Sequence, residues 1–451
     1  MDKHGISNPD AKRQNRMRIL RTIRTKGMIS RMDIAEELEL TRATITMITN
    51  EMIEQGLLRE VGEVRPMNEH SHKGRRKVLL AIKPNYKFAI GLSIEEKVIN
   101  MGLSTLFGEV LEKASVKITK TMTFNKIAEM IADNCEIMMA NSCLERENVI
   151  GIGVGIMPEI IERYGFVKLN TRPDYQKLSA ELKKATGFPI ICGNTIEMMA
   201  MANIDFDRST GRYDYTQCFI TADKKYHLAL SRDTYTTDIS VTDKINNFIV
   251  GGINGLGGAI KTELTTENLR KSIKKMFSQE NTPVLYKETK GNINNVTFEN
   301  VSRAIKDGDT VLVGIYENWL DKMVVLLNNI HCILVTDKIV LHGFGIGYVQ
   351  LEEIRDMLGK LSVYDNTPCV KLSLTDGKLS FLGGCAIVIR DFLYNRGGYQ
   401  QKSNIPKPRP TEEFTEETTD ITAEITESEQ KPEIAEAPTE DIAQEPGQQN
   451  I

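Results

Sequence analysis

No stretch of this sequence approaches the roughly 18 consecutive apolar residues that a membrane-spanning helix requires, which excludes a helical integral membrane protein. The opening segment, MDKHGISNPDAKRQNR, lacks the apolar core of a secretory signal, and a cytoplasmic protein is the expectation. The seven cysteines, at 135, 143, 192, 218, 332, 369 and 385, include no pair at the two-residue spacing that metal sites favour. Odd in number and widely separated, they also argue against a disulfide framework, so reduced and mostly buried thiols are expected. Histidine is scarce, with six in the chain; His227, His331 and His342 are dispersed, have no carboxylate or cysteine at ligand spacing, and read as structural or surface residues. Neither a metal nor a cofactor is expected.

What is present is length and an uneven distribution of charge. The 451 residues, 41% of them hydrophobic, suffice for two or three ordinary globular cores. A formal net charge of -4 conceals a basic beginning and an acidic end, since residues 1–90 carry about +7 and residues 411–451 about -12.

The basic end carries a recognisable pattern. Apolar residues at Met17, Leu20, Ile23 and Ile29 lead into DIAEELELTRATITMITNEMIEQGLL, where two helical periods flank a break at Glu39 to Thr41. In the second helix Ile45, Ile48, Met52 and Ile53 share one face, leaving Arg42, Thr46, Met47, Asn50 and Glu54 outward; Thr41 suits the N-cap and Gly56 the C-terminal stop. Arg and Asn are the side chains shaped for bidentate contacts to guanine and adenine, so Arg42, Thr44, Thr46 and Asn50 are the candidate base-reading residues. Next, LLREVGEV and RRKVLLAI pair as strands around the tip RPMNEHSHKG. Lys73, Arg75, Arg76 and Lys77 then form a basic wing for phosphates or the minor groove. The alternative is a small helical protein-docking domain with a solvated loop.

From Asn85 to about Asn395 strand-like and helix-like segments alternate, which indicates an α/β domain whose length favours two lobes. Strands are expected at FAIGLSI, VINMGLST, VLEKASVKI, VIGIGVGIM, PIICGN, QCFITAD, HLALSRD and KIVLHGF. Helices are expected at KIAEMIADNCEIMMANSC, TFENVSRAIKDG, DTVLVGIYENWLDKMVVLLNNIHC and CAIVIRDFLYN. The glycine clusters VGGINGLGGAI and HGFGIGY read as tight turns rather than phosphate cradles. Beyond Lys402 the chain turns to Thr, Glu, Pro and Ala, the composition of a disordered acidic tail, either solubilising or competing with DNA for the wing.

Residues 15–395 resemble the ROK family (repressors, open reading frames and kinases). The similarity lies in RATITMITNEMIEQGLL and KGRRKVLLAI of the DNA-binding part, then in GIGVGIMPEI, GFPIICGN, KIVLHGFGIG and FLGGCAIVIRDFL. The resemblance implies an N-terminal winged helix-turn-helix followed by a two-lobed, actin-like sugar-kinase (ATPase) fold. It also marks departures. Kinase members open the domain with an Asp followed two residues later by Gly-Gly, where this chain has Ser93 and Glu95-Glu96, carboxylates that would repel a triphosphate. The family's Glu-Asn-Asp, with Asp as general base, becomes Gly193, Asn194 and Thr195, and a threonine hydroxyl cannot act as that base near neutral pH. In GINGLGGAIKT, Ala259 and Thr262 occupy the places of the sugar-binding Glu and zinc-binding His, and KTELTTENLRKSIKK lacks the cysteines of the zinc loop. A segment without glycine, ITADKKYHLALSRD, stands where the second phosphate turn is expected.

The sequence thus predicts a DNA-binding domain at 1–82, a kinase-like effector and dimerisation domain at 83–397 and an acidic tail at 398–451. The expected protein is a homodimeric ROK-type repressor with no catalytic residues, whose partners are double-stranded DNA and a sugar-like effector, with Asn194 and Glu197 as effector-binding candidates. A cap or surface turn is the alternative role for those two. The competing functions are a sugar kinase or other transferase with a remodelled site, and a module that captures a partner protein.

Overall fold

A computed structural model describes residues 8–64, 77–168, 172–207, 215–222, 225–232, 239–250, 258–343, 348–361 and 367–398. All of these lie within one compact unit, Met1–Pro406. The expected acidic tail beyond its first residue, the whole wing tip and the centres of both glycine clusters lie outside the described residues.

The N-terminal part is built from α1 (Asn8–Lys26), β1 (Ile29–Ser30), α2 (Arg31–Leu38), α3 (Arg42–Glu54), β2 (Leu58–Val64) and β3 (Lys77–Ile82). The three strands form an antiparallel sheet in the order β1-β3-β2, the arrangement of a winged helix-turn-helix. The break between α2 and α3 falls where the sequence places it. Glu39 turns left-handed at φ 54°, and the Thr41 hydroxyl accepts the Thr44 backbone N–H at 3.2 Å, capping α3. At the other end Gly56, at φ +80°, lets its own N–H reach Ile53 O and the Leu57 N–H reach Met52 O. That pair of bonds satisfies the last carbonyls of the helix and folds the buried Leu57 onto the buried Met52.

The remainder contains two sheets of the same design. The first lobe comprises β4 (Phe88–Ile94), β5 (Val98–Thr105), β6 (Val110–Lys117), α4 (Phe124–Asn141), β7 (Val149–Ile156), α5 (Tyr175–Thr186), β8 (Ile190–Asn194) and α6 (Thr195–Asp205). Its sheet runs β8-β7-β4-β5-β6, with β4, β5 and β6 an antiparallel meander and β7 and β8 parallel to β4. The second lobe comprises β9 (Gln217–Ala222), β10 (Tyr226–Ser231), β11 (Ser240–Thr242), α7 (Thr266–Met276), α8 (Thr310–Leu334), β12 (Lys338–His342), α9 (Tyr348–Leu361) and β13 (Cys369–Leu372). Its order, β11-β10-β9-β12-β13, again joins an antiparallel meander to two parallel strands. The chain then returns to the first lobe through α10 (Leu382–Val388), which runs on as a π turn over Ile389–Leu393 and a 3-10 turn over Tyr394–Arg396. A Cβ on Gly384 would lie 2.2 Å from Gly153 O, so α10 packs backbone to backbone on β7, and only glycine fits there.

One sequence expectation needs correction. The thiols are free but not mostly buried: Cys135, Cys218 and Cys385 are buried, Cys192 is intermediate, and Cys143, Cys332 and Cys369 are exposed. Cys143 sits in the left-handed turn after α4, Cys332 on the outer face of α8, and Cys369 at the start of β13, the outermost strand of its sheet. His342, with no carboxylate near it in sequence, has Asp376 Oδ1 3.7 Å from its Nδ1, because the segment after β13 folds back beside β12.

Candidate nucleic-acid interface

The outward face of α3 is the one the sequence specifies. Ile45, Ile48 and Met52 are buried, and Arg42, Thr46, Met47 and Asn50 are exposed. Met47 is 53% exposed, a large apolar side chain of the kind that can pack on a thymine methyl. The four base-reading candidates are not equally available. Arg42 stands at the start of the helix, while the Thr44 hydroxyl shares a 2.9 Å hydrogen bond with the capping Thr41. Asn50 lies two turns further along, and its Oδ1 accepts from Arg31 Nη2 at 3.1 Å.

Arg31 is a residue the sequence reading missed. It opens α2, and its guanidinium also donates to Thr49 Oγ1 at 3.1 Å and to Glu60 Oε1 at 2.9 Å, so α2, α3 and β2 are tied at one point. Only the fold brings these partners together. The Arg31 contact occupies one of the two lone-pair positions of the Asn50 amide oxygen. Lys77 is also drawn inward: its Nζ donates to Asp33 Oδ1 at 2.6 Å. This bond, against the opposing effect of partial burial, lowers the Asp33 pKa. Lys77 therefore braces β3 on α2. Lys73, Arg75 and Arg76 lie outside the described residues.

In the first lobe, α6 begins where β8 ends. Asn194 caps it, its Oδ1 accepting the Ile196 N–H at 2.8 Å. The next hydroxyl, Thr195 Oγ1, is buried and has no hydrogen-bond partner among the described residues. Glu197 is half-buried two residues further on, and burial raises its pKa. The neighbouring Tyr175 is pushed up to about 12 by burial, with the Glu197 and Cys192 charges adding to the effect. Glu95 does not project freely. Its Oε1 accepts from Asn100 Nδ2 at 2.9 Å, Ser380 Oγ at 3.1 Å and Ser93 Oγ at 3.4 Å. Thr262 donates to Ala259 O at 2.8 Å, which closes one turn. Among the described residues no group of three His, Cys, Asp or Glu side chains is arranged to hold a metal ion.

No protein-family model matches the chain. It is 22% identical over 389 residues to the xylose repressor of Staphylococcus xylosus, covering 84% of this chain and 95% of that one. It is 25% identical over 215 residues to the DNA-binding transcriptional repressor Mlc of Escherichia coli, covering 46% of this chain and 51% of that one. A crystal structure of a ROK family transcriptional regulator, a homologue of Mlc, superposes with a TM-score of 0.61 at 19% identity, over 86% of this chain and 97% of that chain. Over most of its length the chain is thus similar to a xylose repressor and has the fold of a ROK family transcriptional regulator. The second region also has the fold of a ROK glucokinase from Streptomyces griseus, matched with a TM-score of 0.50 at 17% identity over 66% of this chain and 98% of the kinase. A putative xylose repressor of Caldicellulosiruptor is 29% identical, but over 41% of this chain and 45% of its own length. The repeated sheet design of this chain is therefore that of the actin-like sugar-kinase fold, with a winged helix-turn-helix in front.

Proposed function

We propose that this chain is a sequence-specific transcriptional repressor of the ROK type whose kinase-like region carries out no phosphoryl transfer but dimerises the protein and binds a carbohydrate effector. The observation that carries this reading is α3. It is capped at Thr41, closed at Gly56 and seated on Ile45, Ile48 and Met52, and it presents Arg42, Thr46, Met47 and Asn50 to solvent. A polar face on a rigid, exposed helix is what insertion into a major groove requires. A repressor relative matched over 84% of the chain supports it. The working division is a DNA-binding domain at 1–82, an effector and dimerisation domain at 83–397 and an acidic tail at 398–451, with the protein acting in the cytoplasm.

For the effector, a neutral sugar fits the start of α6. The buried Thr195 hydroxyl, the Asn194 amide and the half-buried Glu197 offer hydrogen bonds suited to a polyol. Thr195 stands at the place of a general base it cannot replace, and the Glu95 carboxylate occupies the turn after β4, both of which oppose phosphoryl transfer from ATP. For the dimer, the outward Val325 and Ile333 of α8 supply apolar surface.

The test is fluorescence anisotropy of the full chain with DNA from upstream of its own gene against a shuffled duplex, at two salt concentrations. Preference for the natural duplex that survives the higher salt is expected, with D-xylose as the first sugar tried for release. Equal, salt-sensitive binding to both duplexes would leave only a nonspecific basic surface. Consumption of ATP in the presence of a sugar would support the transferase instead.

A further inference from the structure

Besides the Gln55 Nε2 to Tyr86 hydroxyl hydrogen bond at 2.8 Å beside the chain junction, the contacts between the DNA-binding region and the rest of the molecule gather at two places, the end of α6 and the segment that follows α10. Asp205, the last residue of α6, is buried, and its carboxylate is held from both sides. Arg390 grips it through two hydrogen bonds, Nε to Oδ2 at 2.8 Å and Nη2 to Oδ1 at 2.7 Å. Arg24, near the end of α1, reaches Oδ1 at 2.8 Å and the Asp205 carbonyl at 3.1 Å, and its guanidinium lies 4.7 Å from the Tyr394 ring centroid. Alongside, Arg16 donates to Gly397 O at 2.7 Å and Gln55 to Gly398 O at 2.7 Å. Ile19, Leu20 and Ile23 of α1 share one apolar cluster with α6 and with Ile389, Leu393 and Tyr394.

The same short helix is also held by the second lobe. Gln217, which opens β9, donates to Ala200 O at 3.0 Å, and Lys338, which opens β12, donates to Asn203 O at 3.1 Å. The Asn203 Oδ1 accepts the Leu374 N–H at 2.8 Å. Helix α6 therefore starts in the first lobe, is gripped along its length by the second, and ends on the DNA-binding region. Its buried side chains include Met198, Met199 and Met201, unbranched and adaptable groups that tolerate small displacements of a helix without opening voids. On the side facing α10 it has no such freedom. A Cβ on Gly383 would come within 2.8 Å of the Met198 backbone, so the two helices move as a pair.

We propose that α6 is the lever connecting the two lobes to the DNA-binding domain, and that the Arg24–Asp205 ion pair is its joint: the position of the lobes sets the pose of α3, and a DNA-bound α3 in turn sets α6. The proposal rests on the reading that α3 binds DNA. An α-helix rises about 1.5 Å per residue, so the joint and the Asn194 cap stand at opposite ends of a rigid rod about 15 Å long. Coupling between them is reciprocal, so it is detectable from the DNA side without knowledge of the effector.

The experiment uses the full-length protein and a duplex enriched by it from a random pool, with hydrogen exchange followed by mass spectrometry. In the wild type the duplex is expected to change exchange across residues 194–205 by threefold or more, together with protection of α3. In Arg24→Gln, which leaves the Asp205–Arg390 pair intact, the response of α3 is expected to persist and that of residues 194–205 to vanish. Asp205→Asn should behave alike where circular dichroism shows it folded, and Arg24→Gln carries the test where it is not. A wild-type α6 that ignores the duplex, or an Arg24→Gln protein whose α6 responds as the wild type does, would overturn the joint while leaving DNA binding in place. Enrichment of no duplex at all would overturn the DNA-binding reading, and the joint with it.

Discussion

Arg42 and Asn50 read alike in the sequence, as exposed polar residues on one face of a helix, yet their surroundings assign them different work. Arg42 is at the N-terminal end of α3, while Asn50 is held by Arg31. If Arg42 reads a guanine, Arg42→Ala should cost about 1–3 kcal/mol on the preferred duplex and flatten the preference at one position. Anisotropy titrations against specific and random duplexes check this; an equal loss on both would make Arg42 a phosphate contact. Glu197 offers a prediction of a different kind. Because burial raises its pKa in the folded state, its protonated form is favoured there, and that favourable contribution is lost as pH rises through the folded value. Glu197→Gln should therefore raise the melting temperature at pH 7, with the difference closing as pH falls below the ordinary glutamate value of about 4.5. A difference that is constant with pH would remove ionisation as its cause. Arg24 and Arg31 could not be picked out in the sequence because a charged residue on a helix carries no mark of a partner that only folding brings near. Asp205 lies 181 residues from Arg24.

At the scale of elements, the strands were legible where their pattern was local. FAIGLSI is β4, VINMGLST is β5, and the segments expected at VLEKASVKI and VIGIGVGIM end within a residue of β6 and β7. Helix α6 was not expected, and the reason is physical. Ten of its eleven residues are buried, so it lacks the polar face that gives a helix its sequence period, and its apolar run TIEMMAMANID shows no alternation of its own. The final helix was expected as a single element, CAIVIRDFLYN; the structure divides it into α10, a π turn and a 3-10 turn, and places Arg390 in the π turn. The wing was legible as paired strands, with Glu60 and Gly62 flanking a bulge in β2. If Arg75 and Arg76 contact phosphates, Arg75→Ala or Arg76→Ala should weaken binding about equally on every duplex. Each should make the slope of log affinity against log salt shallower by about one unit. An unchanged slope would take that residue out of the phosphate contacts.

For the whole molecule, one carboxylate joins three distant parts of the chain. Burial alone would raise the Asp205 pKa; the Arg24 and Arg390 guanidiniums beside it outweigh that effect and hold it below the ordinary aspartate value of about 3.8. A depressed folded-state pKa contributes stability that is present above the unfolded value and is lost as pH falls through the folded one. The triad should therefore be fully formed at neutral pH and fail only in acid, below about pH 3.8. Removing the charge while keeping the shape strands two guanidiniums, one buried and one nearly so, and breaking such a cluster from one side costs roughly 3–5 kcal/mol. Urea unfolding of Asp205→Asn at pH 7 should show a loss of that order, and the gap from the wild type should narrow as pH drops into the range where the native carboxylate itself takes up a proton. Arg24→Gln should lose less, because Arg390 still pairs with the carboxylate through both of its oxygens. The two losses should not add in the double variant, since the contact between these residues can be broken only once. Full additivity would mean that Arg24 and Asp205 stabilise separate regions, and that the DNA-binding domain is held to the rest of the molecule by its other contacts, the Arg16 and Gln55 hydrogen bonds to Gly397 and Gly398 and the apolar packing on Leu393 and Tyr394.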